Sequence, residues 1–552
     1  MRGVTSAASA AVVGALLAAW PAAAGSAPPV AADAVRITLG DAQDVHSEVL
    51  IDRFGMLADG HGFAGLPPFD FTFVRDGNAL VPLVRTPVAN DVSGWELIVS
   101  PGRWLAGEGS PARRAEIPFA LKERNADCLH YGVLSVDTGT HGTSAMAGFR
   151  IASETCQYLQ FNADGRYRAA VAARTLPGRD AVIAAWRAER AARLPVRPIA
   201  ALASDYPGTD PAAFGSAAEV DPAAMTAYGF VIDGRHYVSA CGTRDGSYAY
   251  CDSMPLPSYS LAKSLFAGLA LMRAEYLYPG ARGAPIAGLV DACRGNPAWQ
   301  GVSIEHALDM ATGNYASATP AADEDAAIAS EFFLAEEHAA KVRAACNSYA
   351  RRAAPGTRWV YHTSDTYLAG TALTAYIRQH GGPGLDLYDD LVVAPLWKPL
   401  GLSPLTFATR RTYDAARQPF AGWGLSFLRD DIARLGLFLG RDRGRVHGKT
   451  VLDEALFAAT MQRDAADRGL PADFPGMRYN NGFRALDVAP YLGCSEPTWV
   501  PVLSGFGGII VILLPNDSVY YYFSDGGQHR WMAAARAAHG IRPLCHGGRE
   551  AA

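Results

Sequence analysis

Pro257-Ser258-Tyr259-Ser260-Leu261-Ala262-Lys263-Ser264-Leu265-Phe266-Ala267-Gly268-Leu269-Ala270-Leu271-Met272 reads as a loop that enters an apolar helix. Ser260 stands at the helix mouth and Lys263 one turn further in. Residues three apart share a helix face, so hydroxyl and amine can meet. A serine hydroxyl is a weak nucleophile until its proton is removed, and a lysine kept from water can remove it. The helix N-terminus adds partial positive charge for an anion forming there. With 29 serines and 5 lysines in the chain, a Ser-x-x-Lys match arises by chance in about one such chain in four. The bland reading is an N-cap serine beside a snorkelling lysine. The apolar run after Ser260 argues against it, because it places Lys263 in a buried element.

A second motif lies about a hundred residues on, Trp359-Val360-Tyr361-His362-Thr363-Ser364-Asp365-Thr366-Tyr367-Leu368-Ala369-Gly370. Acyl transfer needs the serine proton delivered to the leaving group, and a phenol beside a cation can carry it. Tyr361 is the candidate shuttle. Thr363 is the candidate partner of both the lysine and the substrate, although it or Ser364 can equally cap a helix beginning near Thr366. His362 adjoins Tyr361 and points elsewhere, so it is not expected to be the base.

Ser260-Leu261-Ala262-Lys263 followed by Tyr361-His362-Thr363 resembles the Ser-x-x-Lys and Tyr-x-Asn/Ser motifs of the serine β-lactamase and penicillin-binding-protein superfamily. The resemblance is to its class C-like branch, which also holds esterases, D-amino-acid peptidases and 6-aminohexanoate-dimer hydrolases. Ile304 to Gly313, Ala394 to Leu402, and Gly422-Trp423-Gly424-Leu425-Ser426 with Asp430 to Arg434 are similar to further segments of that branch. The resemblance covers about 220–540. It implies an α+β fold, an antiparallel sheet flanked by helices plus a helical subdomain, acting through an acyl-enzyme on Ser260. Many members carry Lys-Thr-Gly or His-x-Gly beside the nucleophile. Here the matching stretch is Ser504-Gly505-Phe506-Gly507-Gly508-Ile509, with Phe506 where the cation would be. The resemblance implies Thr363, Phe506, Gly508 and Ile509 as substrate or oxyanion residues, with the N–H groups of Ser260 and Ile509 around the oxyanion. The missing cation favours ester or amide hydrolysis over β-lactamase or D-Ala-D-Ala carboxypeptidase activity. The alternative is a catalytically weak penicillin-binding or peptidoglycan-sensing protein of the same fold.

At 552 residues the chain has room for two or three domains. Residues 1–24 read as a signal peptide: Arg2, an apolar stretch from Ala10 to Trp20, then Pro21-Ala22-Ala23-Ala24 for cleavage. A periplasmic or secreted location follows, with no integral membrane domain after cleavage. Eight cysteines, Cys128, Cys156, Cys241, Cys251, Cys293, Cys346, Cys494 and Cys545, fall into neighbouring couples, which suggests sequential disulfides in an exported chain. The net charge of −5 gives no reason to expect nucleic acid, so the expected partner is a small-molecule or peptide-like substrate.

Residues 25–195 read as a β-rich accessory domain. Short runs such as Val35 to Leu39, Phe69 to Val74, Leu80 to Val84, Trp95 to Val99 and Leu129 to Val136 alternate with turns, among them Asp76-Gly77-Asn78. They predict a sandwich-like domain or a small barrel, with Trp95 and Trp104 packed in its core or, as the alternative, forming a binding platform. The hydrolase domain is expected over 205–545. It opens with the hairpin Tyr228 to Val238 about Asp233-Gly234 and ends in the strands Ile509 to Leu514 and Val519 to Phe523. Gly448-Lys449-Thr450 suggests a phosphate loop, but Arg443 stands where its first glycine must be. No Gly-x-Ser-x-Gly elbow occurs, and the thirteen histidines show no metal-ligand spacing, so neither cofactor nor metal is expected.

Overall fold

The computed structural model describes residues 34–40, 46–57, 62–106, 113–138 and 144–545. The expected signal peptide lies outside the described residues.

Ten strands form the N-terminal sheet: β1 (Ala34–Leu39), β2 (His46–Asp52), β3 (Asp70–Asp76), β4 (Ala79–Pro82), β5 (Trp95–Val99), β6 (Gly102–Ala106), β7 (Arg113–Glu123), β8 (Leu129–Thr138), β9 (Ser144–Thr155) and β10 (Phe161–Arg174). Neighbours pair antiparallel in the order β1-β3-β4-β6-β7-β8-β9-β10, and β10 then pairs back to β1 through Ala34↔Arg174 to Leu39↔Ala169. The ladder therefore closes on itself. This part is a closed barrel, the second of the two expected forms, and not the sandwich. The long strands β7 and β10 make this possible: β7 pairs β6 along its first half and β5 along its second, and β10 pairs β2 and then β1. Inward residues alternate with outward ones, as in the run Tyr167, Ala169, Val171 of β10. Val35, Ile37, Phe71, Phe73, Trp95, Trp104, Phe119 and Phe149 fill the interior. Trp95 is 2% exposed and Trp104 9%, so both are core residues. A helix, α1 (Arg179–Ala192), closes this part through the pairs Arg85–Glu189 and Arg187–Asp76.

The second sheet draws on both ends of the remaining chain. Its strands are β11 (Val196–Pro198), β12 (Met225–Ile232), β13 (Arg235–Val238), β14 (Leu470–Pro471), β15 (Met477–Asn480), β16 (Phe483–Asp487), β17 (Trp499–Gly505), β18 (Ile509–Leu513) and β19 (Val519–Ser524), in the order β11-β13-β12-β19-β18-β17-β16-β15-β14. The β12–β13 turn is the two-residue Asp233-Gly234 hairpin, with φ of 50° and 71° at its two residues. β12 pairs β19, Phe230 opposite Tyr520, which joins segments nearly three hundred residues apart.

All six residues of β19 are buried, and they divide by parity. Val519, Tyr521 and Phe523 face a large helical core. Tyr520 and Tyr522 face the core beneath the C-terminal helix. The helical layer includes α2 (Leu269–Leu277), α3 (Ala327–Leu334), α4 (His338–Asn347), α5 (Thr363–Gly381) and α6 (Arg429–Leu439), and α7 (Met532–Ile541) covers the other face. The fold is α+β. Four disulfides join Cys128–Cys156, Cys241–Cys251, Cys293–Cys346 and Cys494–Cys545, the sequential pattern. Among the described residues no helix is long and apolar enough to cross a membrane.

Candidate active site

Ser260 sits at the end of a tight turn. Leu261 N–H donates to Ser258 O, Ala262 N–H to Tyr259 O, and Lys263 N–H to Ser260 O. Tyr259 adopts φ 40°, a left-handed conformation that costs a bulky residue about 1–3 kcal/mol. The chain then continues as one wide π-helical turn over Lys263–Gly268 before becoming α2. Such widened turns recur at functional sites. Every residue of Lys263–Gly268 is buried, and Lys263 itself is 1% exposed.

Lys263 Nζ lies 2.8 Å from Ser260 Oγ, donates to Thr363 Oγ1 at 2.8 Å, and lies 3.4 Å from Gly422 O. Tyr361 Oη lies 2.8 Å from Ser260 Oγ. Lys263 Nζ is also 4.9 Å from the centre of the Tyr361 ring. The hydroxyl, the amine and the phenol, drawn from positions 260, 263 and 361, thus meet around one oxygen atom.

The second motif is held from behind. α5 starts at Thr363, so His362 is its N-cap, and no side chain caps it. The Thr363 N–H donates instead to Glu324 Oε2 at 2.9 Å, and the Thr363 hydroxyl donates to Glu324 Oε1. His362 points the other way. Its Nε2 lies 3.0 Å from Asp323 and its Nδ1 3.4 Å from Asp365, and its ring stacks on Tyr349. Burial opposes its charge, but the neighbouring Asp323 and Asp365 carboxylates more than offset this and lift its pKa to about 9. His362 therefore braces the segment from behind through two carboxylates. Glu324, a residue of the acidic run Asp323-Glu324-Asp325, carries no motif that sequence reading could have found.

The third stretch forms the β17–β18 turn. Gly505 is needed there: a Cβ would come within 2.9 Å of Ser258 O and 3.3 Å of Tyr259 Cβ. Phe506 follows at the turn and lines the cleft, its ring 5.7 Å from that of Tyr259 and 6.3 Å from that of Tyr158. Ile509 and Gly508 stand away from the cleft. Ile509 is wholly buried in β18 between Gly505 and Phe523. Gly508 packs on the turn after β19, and its carbonyl accepts from Ser524 Oγ at 2.7 Å. The reason is the hairpin itself. Its tip spans 506–508, so the backbone leaving the nucleophile's side belongs to Phe506, three residues before Ile509.

Arg484 of β16 was missed by sequence reading because it carries no motif. It pairs with Asp473 at 2.7 Å, donates to Ser504 Oγ at 3.0 Å, and stands 5.0 Å from the Tyr361 ring.

The cleft encloses about 610 Å³ and is lined by Ser260, Lys263, Thr363, Glu324, Trp423 and Phe506, among others. Its opposite wall comes from the barrel, through Trp95, residues 123–127 and Tyr158. Among the described residues no His, Cys, Asp and Glu side chains group as a metal site.

Ser260 Oγ lies within hydrogen-bond reach of both Lys263 Nζ and Tyr361 Oη. No family model and no curated protein matches the chain. Solved structures are similar to it. A putative 6-aminohexanoate-dimer hydrolase from Bacillus anthracis matches over 58% of this chain and 78% of its own, at 15% identity and a TM-score of 0.42. A family VIII carboxylesterase matches over 63% and 98%, at 16% identity and 0.41. A class C beta lactamase from Rhodobacter sphaeroides matches over 60% and 97%, at 17% identity and 0.40.

Proposed function

We propose that the chain is an exported serine hydrolase of the β-lactamase and penicillin-binding-protein superfamily that cleaves an ester or amide through an acyl-enzyme on Ser260. The observation that carries the reading is the pair of 2.8 Å contacts from Ser260 Oγ to Lys263 Nζ and Tyr361 Oη. Ser260 Oγ attacks the carbonyl carbon while Lys263 Nζ takes its proton. Tyr361 passes a proton to the leaving group as the carbonyl–heteroatom bond breaks. The same two groups then activate the water that releases the acid.

Two backbone amides suit the oxyanion, those of Ser260 and Phe506. Among the described residues neither donates to a protein acceptor. Gly505, immediately before Phe506, packs against the Ser258–Tyr259 backbone. Each such donor is worth about 3–4 kcal/mol in the transition state. Phe506 with Tyr158 and Tyr259 forms an aromatic platform at the cleft, which favours an ester or amide with an apolar part over an anionic β-lactam.

The test is labelling by an active-site-directed fluorophosphonate. Wild type is labelled at Ser260 and Ser260→Ala is not; labelling of that variant at the wild-type rate rejects the assignment. Continued turnover of a p-nitrophenyl ester distinguishes a hydrolase from a protein that acylates once and stops.

A further inference from the structure

The barrel is not an appendage to the hydrolase. The turn joining β7 to β8, residues 124–128, leaves the barrel and enters the wall of the cleft. Asp127 lies at its end with a side chain 0% exposed. Its Oδ1 stands 3.0 Å from Lys122 Nζ, itself 1% exposed. Its Oδ2 accepts from three donors of the hydrolase domain: Tyr259 N–H at 2.7 Å, Ser258 Oγ at 3.0 Å and Gly424 N–H at 3.0 Å. Lys122 Nζ in turn donates to Gly424 O at 3.0 Å and Ser426 Oγ at 3.2 Å.

The three donors bracket the nucleophile. Tyr259 precedes Ser260 and is the residue held at φ 40°. Ser258 bonds Leu425 through both backbone and hydroxyl, which ties the nucleophile's turn to the 422–426 segment that also offers Gly422 O to Lys263. Charge-assisted bonds of this kind are about twice as strong as neutral ones, enough to offset a strained residue. The rest of the turn is equally fastened. Arg124 pairs with Glu336 at 2.8 and 3.0 Å, Asn125 Nδ2 donates to Phe333 O at 2.7 Å, and Trp423 Nε1 donates to Asn125 O.

We infer that Asp127, supplied by the barrel, is a positioning residue for the hydrolase: its carboxylate clamps the Tyr259 backbone in the left-handed conformation that aims Ser260 Oγ at Lys263 and Tyr361. The inference rests on the reading of Ser260 as the nucleophile. Asp127 touches no reacting atom and acts through Tyr259.

A double-mutant cycle between positions 127 and 259 tests it, read as the fluorophosphonate acylation rate per titrated site. Asp127→Asn lowers that rate about 100-fold in the wild-type background. Glycine adopts φ 40° without strain, so in a Tyr259→Gly background the same change costs less than about tenfold. An equal loss in both backgrounds overturns the proposal. So does a wild-type acylation rate in Asp127→Asn accompanied only by a lowered melting point, which would make Asp127 a docking contact. If Asp127→Asn leaves Lys122 buried without its partner and fails to fold, Lys122→Met with Asp127→Asn removes both charges, and the same comparison is made on it. If wild type itself is not labelled at Ser260, the hydrolase reading fails instead, which is a separate outcome.

Discussion

Arg484 donates to Ser504 Oγ at 3.0 Å while its guanidinium carbon stands 5.0 Å from the centre of the Tyr361 ring. Sequence comparison looks for a cation at position 506 and finds phenylalanine. The neighbouring strand carries a positive charge near the same ring that Lys263 faces at 4.9 Å. Replacing Arg484 with methionine removes a positive charge beside the Tyr361 ring, the group that passes the proton in the proposed mechanism. We expect kcat on a p-nitrophenyl ester to fall about 10- to 100-fold, with Arg484→Lys retaining more activity. Unchanged kcat in Arg484→Met would make Arg484 a purely structural partner of Asp473.

Tyr361→Phe leaves the ring and its packing and removes one of the two atoms at 2.8 Å from Ser260 Oγ. General acid–base groups typically contribute about 10²–10⁴-fold, and stopped-flow acylation should fall within that range. The loss should be smaller for esters with good leaving groups, such as p-nitrophenol, than for amides, because in the proposed mechanism the phenol protonates what departs.

Thr363 connects Lys263 to Glu324 through one hydroxyl. Thr363→Val breaks the link at nearly constant volume, and Thr363→Ser keeps it. We expect the valine variant to lose about tenfold in kcat/KM and the serine variant to stay within about threefold of wild type. Glu324→Gln should resemble valine more than serine, since it leaves only one of the two oxygens that accept from Thr363.

His362 makes stability depend on pH in a definite direction. Its folded pKa is about 9, above the ordinary value near 6.5. A raised folded pKa stabilises fully below the unfolded value, and that stability is lost as pH rises through the folded value. The excess stability of wild type over His362→Gln, measured by urea unfolding, should be largest at and below about pH 6.5 and disappear by about pH 10. The excess lost is on the order of 3 kcal/mol. A constant difference across that window would show that the ring stays neutral.

The meeting of Ser260 with Lys263 was legible because helix geometry brings residues three apart together. The 361–363 segment was legible only beside it, because resemblance placed the two motifs at one site. The Asp233-Gly234 hairpin and the apolar strands from 509 to 523 were local patterns, and local patterns are what a sequence displays. What was hidden is non-local. Barrel closure requires Ala34 to find Arg174, and neither residue announces the other. Ile509 was read as the cleft-side amide by counting along a motif, but the hairpin tip gives that place to Phe506. Glu324, Arg484 and Asp127 reach the cleft through contacts between distant parts of the chain and belong to no repeating spacing.

The closed ladder of the barrel has a mechanical consequence. The tip of β7–β8 is the end of a strand pair with neighbours on both sides, and Cys128–Cys156 staples its root. One jaw of the cleft therefore cannot swing without the whole cylinder turning with it. The short helix Ala327–Leu334 is fastened to that same tip, Asn125 Nδ2 donating to Phe333 O at 2.7 Å, and its last residue Leu334 is 77% exposed beside the entrance. On the proposed function, a bulky guest should accordingly meet a fixed wall on this side, with the barrel serving as the gauge against which it is measured.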